Sequence, residues 1–227
     1  SSCELMSRTA LEFVLRHVGG ARDPLDAPHD WYLLVEATSS MSGDGLEPAL
    51  LAMLEASLQS GVIVDAVVAS SLAQRQALWH LRECMSDAQK GEGASIKHDV
   101  AVPVDRVPQL IARGIAAVTA ALPGIRPCPF GHLGDGNIHF NLTRPEGMDN
   151  AAFLAPWGRF NALIHDIVAD LGGSISAEHG IGQLKVDELG RYKSPVALDL
   201  MRALKKTLDP DNLMNPGKVV SSPYLEE

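Results

Sequence analysis

Residues Phe130-Gly131-His132-Leu133-Gly134-Asp135-Gly136-Asn137-Ile138-His139-Phe140-Asn141 read as two short strands around a tight turn. Asp-Gly is a favoured centre for a two-residue hairpin turn, because both positions tolerate positive φ. Centred on Asp135-Gly136, the turn sets 134 opposite 137, 133 opposite 138 and His132 opposite His139. Directly opposed residues have Cβ atoms roughly 4.5–5.5 Å apart. Two imidazoles so placed can converge on one ion at roughly 2.0–2.1 Å each. The period of two puts Asn141 on the histidine face and Leu133, Ile138 and Phe140 on an apolar one. Two alternatives stay open: a solvated hairpin with incidental histidines, or a Gly-rich phosphate-binding turn.

Outward from the hairpin, helices and strands alternate. Glu4 to Val18 reads as an amphipathic helix closed by Gly19-Gly20, and Trp31 to Ala37 as a strand. Glu47 to Ser60 is helical, Val62 to Val68 a second strand and Leu72 to Gln89 a long helix. Ile96 to Pro103 alternates like a third strand, and Val104 to Leu122 is a helix with Asp105 in its first turn. After the strands 127–133 and 137–144, the pattern turns helical over 151–171, about 179–190 and 195–207. That order predicts an α+β fold, an antiparallel or mixed sheet with helices on one face. A sheet-bearing part of about 1–146 gives way near Gly147 to a helical part of about 147–227.

Composition narrows the function classes. The 227 residues are 46% apolar and 21% charged, enough to bury a real core. The 28 acidic and 19 basic residues leave a net charge of −9, which argues against a general nucleic-acid or anionic-membrane surface. No run of about 18 uncharged apolar residues predicts a membrane span. Cys3, Cys84 and Cys128 are odd in number and far apart, so a reducing compartment is expected over a disulfide framework. The signatures G-x-G-x-x-G, G-x-x-x-x-G-K-[ST], H-E-x-x-H and G-x-S-x-G are all missing.

A second segment, Ser174-Ile175-Ser176-Ala177-Glu178-His179-Gly180-Ile181-Gly182, sets a carboxylate beside an imidazole. Neighbouring side chains rarely bind one ion together, so a division of labour is expected, with Glu178 as third metal ligand and His179 as acid–base group. A plain helix start is the simpler reading of this segment taken alone. A third set is weaker: Arg82 and, four residues on, Ser86, with Lys97 in the Ile96-Lys97-His98-Asp99-Val100 strand. Arg and Lys suit a carboxylate, Arg by a two-point contact. From the residues alone, an exposed helix Arg and an edge-strand Lys is the simpler account. His17, His29, His80, His98 and His165 read as structural or surface histidines.

These segments, with the ending Leu208-Asp209-Pro210-Asp211-Asn212-Leu213-Met214-Asn215-Pro216-Gly217-Lys218, resemble the C-terminal half of FAD-linked 2-hydroxyacid dehydrogenases. That group includes D-2-hydroxyglutarate dehydrogenase, D-lactate dehydrogenase and the glycolate oxidase flavin subunit. The start, Glu4-Leu5-Met6-Ser7, resembles the opening of the family's substrate or cap domain. The resemblance implies a ferredoxin-like α+β domain with an extended antiparallel sheet. It implies a 2-hydroxyacid substrate, a divalent metal such as zinc or manganese, and FAD held chiefly by a separate N-terminal domain that nothing here resembles. It implies His132, His139 and Glu178 as metal ligands and His179 as base. It further implies Arg82, Lys97, Ser86 and Asn141 around the substrate, and Asn215 near the flavin, with Glu178 also facing cofactor. Ser86 stands where close relatives often carry Thr. A cytoplasmic setting, or the mitochondrial matrix in a eukaryote, follows from the same likeness, and a homodimer is compatible with it. The competing readings are a non-redox metal-binding module and a metal-dependent hydrolase.

Overall fold

The structure is a computed structural model and describes residues 1–40, 43 and 45–221. Its strands are β1 (Ser2–Ser7), β2 (Trp31–Glu36), β3 (Ser95–Ile96), β4 (Asp99–Ala101), β5 (Arg126–His132) and β6 (Asn137–Thr143). They form one sheet in the order β2-β1-β5-β6-β3, with β4 also on β6, and every pairing is antiparallel. The helices are α1 (Arg8–His17), α2 (Leu46–Gln59), α3 (Leu72–Glu83), α4 (Met85–Ala88), α5 (Val107–Ala121), α6 (Asn150–Leu154), α7 (Trp157–Asp170), α8 (Val186–Tyr192) and α9 (Pro195–Leu208). This is the α+β arrangement expected from the order of elements.

Helices cover both faces of the sheet, not one. Ile138, Phe140 and Leu142 of β6 point into a core built with Val107, Leu110 and Val118 of α5 and Phe160, Ile164 and Val168 of α7. On the opposite face, Met6, Cys128 and Phe130 pack against Leu11, Phe13 and Val14 of α1, Leu81 of α3 and Met85 of α4. A sheet covered on both faces carries apolar residues at successive positions, which blurs the period-two signal.

That blurring explains the difference at the start of the chain. Residues 2–7 form β1 rather than the first turns of a helix, with Leu5 in one core and Met6 in the other. The helix begins only after Ser7, whose side chain accepts a hydrogen bond from the Ala10 N–H at 3.3 Å. Four further segments depart from expectation. Residues 62–68 belong to no described strand, and Val62, Val64, Val67 and Val68 lie exposed. The third strand is interrupted at 97–98, between β3 and β4. The long helix after Leu72 stops at Glu83 and resumes as α4 and a 3-10 turn over Gln89–Glu92. The helix expected from about 179 starts at Val186, leaving Glu178 and His179 in a loop.

The hairpin differs in register. His132 pairs with Asn137 and His139 with Phe130, so four residues, 133–136, form the connection. Asp135 turns the chain through its side chain, accepting from the Asn137 N–H at 3.1 Å. Gly136 has φ +77°, and a Cβ there would meet the Val102 carbonyl oxygen at 1.9 Å. The shift moves each strand by an even step, so His132, His139 and Asn141 still share one face.

Candidate metal and substrate site

The site lies on the α1–α3 face, at the end of the sheet where β5 meets the 133–136 connection. His132 and His139 are diagonal neighbours there, with ring centroids 5.9 Å apart. Glu178 reaches in from its loop: its Oε1 is 3.5 Å from His132 Nε2 and its Oε2 is 3.7 Å from His139 Nε2. Ligands set tetrahedrally at about 2.1 Å from one ion are separated by about 3.4 Å. Each imidazole thus sits near ligand spacing from one oxygen of the Glu178 carboxylate, although His132 lies outside the group, Asp99, His139, Glu178 and His179, whose ligand atoms all fall within 4.8 Å of one another. Imidazole and carboxylate donors suit zinc, manganese and several other ions.

Each ring is oriented from behind. His132 Nδ1 is 2.9 Å from Glu4 Oε2, because β1 lays Glu4 directly opposite His132. His139 Nδ1 faces Asp99 Oδ1 at 3.7 Å, because β4 lays Asp99 opposite His139. Burial draws the His139 ring below its ordinary pKa, with Asp99 opposing, which favours the neutral form a ligand needs.

Asp99 also fixes the loop that carries Glu178 and His179. Its Oδ2 accepts from the backbone N–H groups of Glu178 at 2.8 Å and His179 at 2.7 Å, and its Oδ1 accepts from Asn137 Nδ2 at 2.8 Å. Burial pushes this carboxyl up, but the His179 N–H, the Asn137 amide and the Glu178 N–H outweigh it and hold the pKa below the ordinary range. One ligand atom from each of Asp99, His139, Glu178 and His179 lies within 4.8 Å of the others. With both its oxygens already accepting hydrogen bonds, Asp99 is better suited to hold this loop than to ligate.

Arg82 sits in the last turn of α3, beside Glu4 and Phe130. Its Nε donates to Glu4 Oε2 at 3.0 Å and its guanidinium stacks 5.0 Å from the Phe130 ring centre. Its Nη2 is buried without a hydrogen-bond partner in the structure. Burial draws its pKa down, with Glu4 opposing. An unsatisfied guanidinium edge beside a carboxylate–imidazole cluster fits an anionic group of a ligand.

The other expected residues are placed less directly. Asn141 is on the histidine face but donates through Nδ2 to Gln89 Oε1 at 3.0 Å, deep in the α4 side of the core. Lys97 is exposed in the gap between β3 and β4, not within a strand. Ser86 is exposed on α4, beyond the turn at Cys84 that separates it from α3. Asn215 is exposed with φ +46° in the C-terminal stretch, which reaches the 176–182 loop through the Val219 N–H to Gly182 O bond of 2.7 Å. His98 and His165 are buried in the interior, and burial pushes His98 down to about 3.

Two members of the cluster, Glu4 and Asp99, escape the sequence reading. Their signal was an acid at a core-facing position of an otherwise apolar strand, visible only once the strand bounds are known.

The model of the family described as FAD linked oxidases, C-terminal domain, matches residues 1–219. The chain belongs to that family. It is 34% identical over 222 residues to the mitochondrial D-2-hydroxyglutarate dehydrogenase of Arabidopsis thaliana, covering 97% of this chain and 38% of that protein. It is 36% identical over 216 residues to D-2-hydroxyglutarate dehydrogenase of Xanthomonas citri, covering 95% and 45%. The Bos taurus mitochondrial D-2-hydroxyglutarate dehydrogenase is 34% identical over 220 residues, covering 97% and 39%. The chain therefore spans less than half the length of these curated relatives. Among solved structures, p-cresol methylhydroxylase with substrate bound shares the fold, with a TM-score of 0.56 at 10% identity, over 97% of this chain and 47% of that one.

Proposed function

We propose that this chain is the substrate- and metal-binding part of a flavin-dependent dehydrogenase that oxidises a D-2-hydroxyacid to the 2-oxoacid. The observation that carries the reading is the approach of His132 Nε2 and His139 Nε2 to the two oxygens of the Glu178 carboxylate, near the unpartnered Nη2 of Arg82. The relatives' names point to the same chemistry.

In this reading His132, His139 and Glu178 hold a divalent ion. The ion supplies Lewis acidity toward a 2-hydroxyl, and FAD supplies the acceptor for the hydride that leaves C2. His179 accepts the hydroxyl proton, its position set by its backbone bond to Asp99. Arg82 takes the carboxylate in a two-point contact and fixes the substrate's orientation. Lys97, Ser86 and Asn141 are the further substrate contacts proposed, and Asn215 the contact toward flavin. A dicarboxylate such as 2-hydroxyglutarate or malate would use both Arg82 and Lys97; lactate would need only Arg82.

The partner in this reading is a flavin domain. α9 supports it by leaving Val196, Leu200, Leu204 and Leu208 exposed in one helical stripe. The setting proposed is the cytoplasm, or the mitochondrial matrix in a eukaryote; among the described residues no helix is long and apolar enough to cross a membrane.

The test is dye-linked oxidation of D-2-hydroxyglutarate, D-malate and D-lactate by the chain together with its flavin domain. Activity on one of them should vanish after chelation and return with zinc or manganese. Full activity in metal-stripped, flavin-replete protein would refute the metal part. Hydrolysis of ester or amide panels by the chain alone with zinc would favour a hydrolase instead.

A further inference from the structure

We propose that Glu4 is a positioning residue that couples the two arms of this site, fixing the His132 tautomer and the Arg82 guanidinium with one carboxylate. The inference rests on the metal-site reading above and extends it to a residue that touches neither metal nor substrate. Glu4 is 4% exposed, in the middle of β1. A carboxylate so buried is costly unless it is paired and hydrogen-bonded. Both of its partners are site residues: Oε1 hydrogen-bonds to His132 Nδ1 at 3.0 Å and Oε2 accepts from Arg82 Nε at 3.0 Å.

The chemistry of the contact is directional. A carboxylate accepts and does not donate, so a His132 ring with a single N–H carries it on Nδ1, facing Glu4. Nε2 then presents a lone pair toward Glu178, as a ligand must. The other oxygen, Oε2, accepts from Arg82 Nε, while Arg82 Nη2 is left without a partner. The contacts are long-range in sequence: Glu4 lies 128 residues from His132 and 78 from Arg82. β1 is therefore part of the site's scaffold as well as of the sheet. A merely structural ion pair between β1 and α3 would not require the imidazole, and its loss would lower the melting temperature without changing the ring's tautomer.

The experiment reads the ring directly. In the metal-free chain at pH 8, long-range nitrogen–proton NMR of ¹⁵N-histidine-labelled protein should show His132 as the Nδ1–H tautomer. A wild-type His132 carrying its proton on Nε2 would overturn the proposal, with no variant needed. Glu4→Ala should mix the two tautomers and weaken zinc binding, measured by competition with a chromogenic chelator, by about 10–100-fold. Glu4→Gln keeps an acceptor for Nδ1–H and should recover most of that affinity. If folded Glu4→Ala binds zinc within twofold of wild type and keeps the wild-type tautomer, Glu4 is structural only. Should the wild-type chain bind no zinc, the metal reading fails, while the tautomer still decides the role of Glu4.

Discussion

The β2 flank of the sheet, Trp31–Glu36, is more apolar in sequence than the central strand β6, Asn137–Thr143, yet is far less covered. On β6, Ile138, Phe140 and Leu142 are fully buried between the sheet and helices α5 and α7. On β2, Leu33 and Val35 are about half exposed, α2 buries none of its residues, and Val62 and Val64 stand more than three-quarters exposed. A cavity of about 1010 Å³ lies between β2, α2 and the 62–72 segment. The site grows from the packed centre, on β5, β6 and β4. Apolar composition supplies the drive for burial, but only a facing element turns it into rigidity, and ligand geometry needs rigidity.

Paired truncations would break or sharpen this contrast. Phe140→Ala should cost about 3–5 kcal/mol, because the ring fills a space walled by α5 and α7 that cannot collapse. Leu33→Ala on the flank should cost well under that, near the roughly 0.5 kcal/mol typical of surface changes. Chemical denaturation of both variants decides it: equal losses would mean that the flank is as tightly packed in solution as the centre.

At the site itself the expected effects are ordered by distance from the proposed ion. His132→Ala removes a ligand and should weaken zinc binding more than the about 10–100-fold expected for an outer partner such as Glu4. Titration against a chelator checks it, and a smaller loss than for Glu4→Ala would point to Asp99, His139, Glu178 and His179 as the ligand group instead.

The smallest effect is a pH dependence at the edge of the α1 face. Burial pushes the Glu92 carboxyl up, but Arg126, His17 and Arg16 outweigh it and hold it at about 2, against an ordinary value of 4.5. Its folded pKa is depressed, so the unfolded chain binds the proton first, and the stabilisation present above pH 4.5 is lost as pH falls toward 2. Glu92→Gln should flatten part of that acid limb in urea midpoints measured from pH 5 to 2. An unchanged slope would show that the network contributes little in solution.

Much of the site was legible in the chain because its clues are local. Alternation in Gly131 to Asn141 puts two histidines on one face, and that survives the corrected register because the shift is even. Glu178-His179 is a contiguous pair whose chemistry is read without a fold. The elements that misled were those whose fate depends on a distant partner. Val62 to Val68 has a strand's β-branched composition but no described strand beside it, and the apolar run around Leu5 and Met6 suits helix or strand until both faces of the sheet are known.

By itself the sequence determined an α+β chain with helices between strands, a polar hairpin face and the donor types a divalent ion would use. Tertiary structure alone decided which donors meet. Glu4 faces His132 because β1 pairs with β5, and Asp99 faces His139 and seizes the loop of Glu178 and His179 because β4 pairs with β6. The reason is physical: periodicity reports the environment of each residue along its own strand. Which strand lies alongside, and in what register, is settled by burying two cores at once.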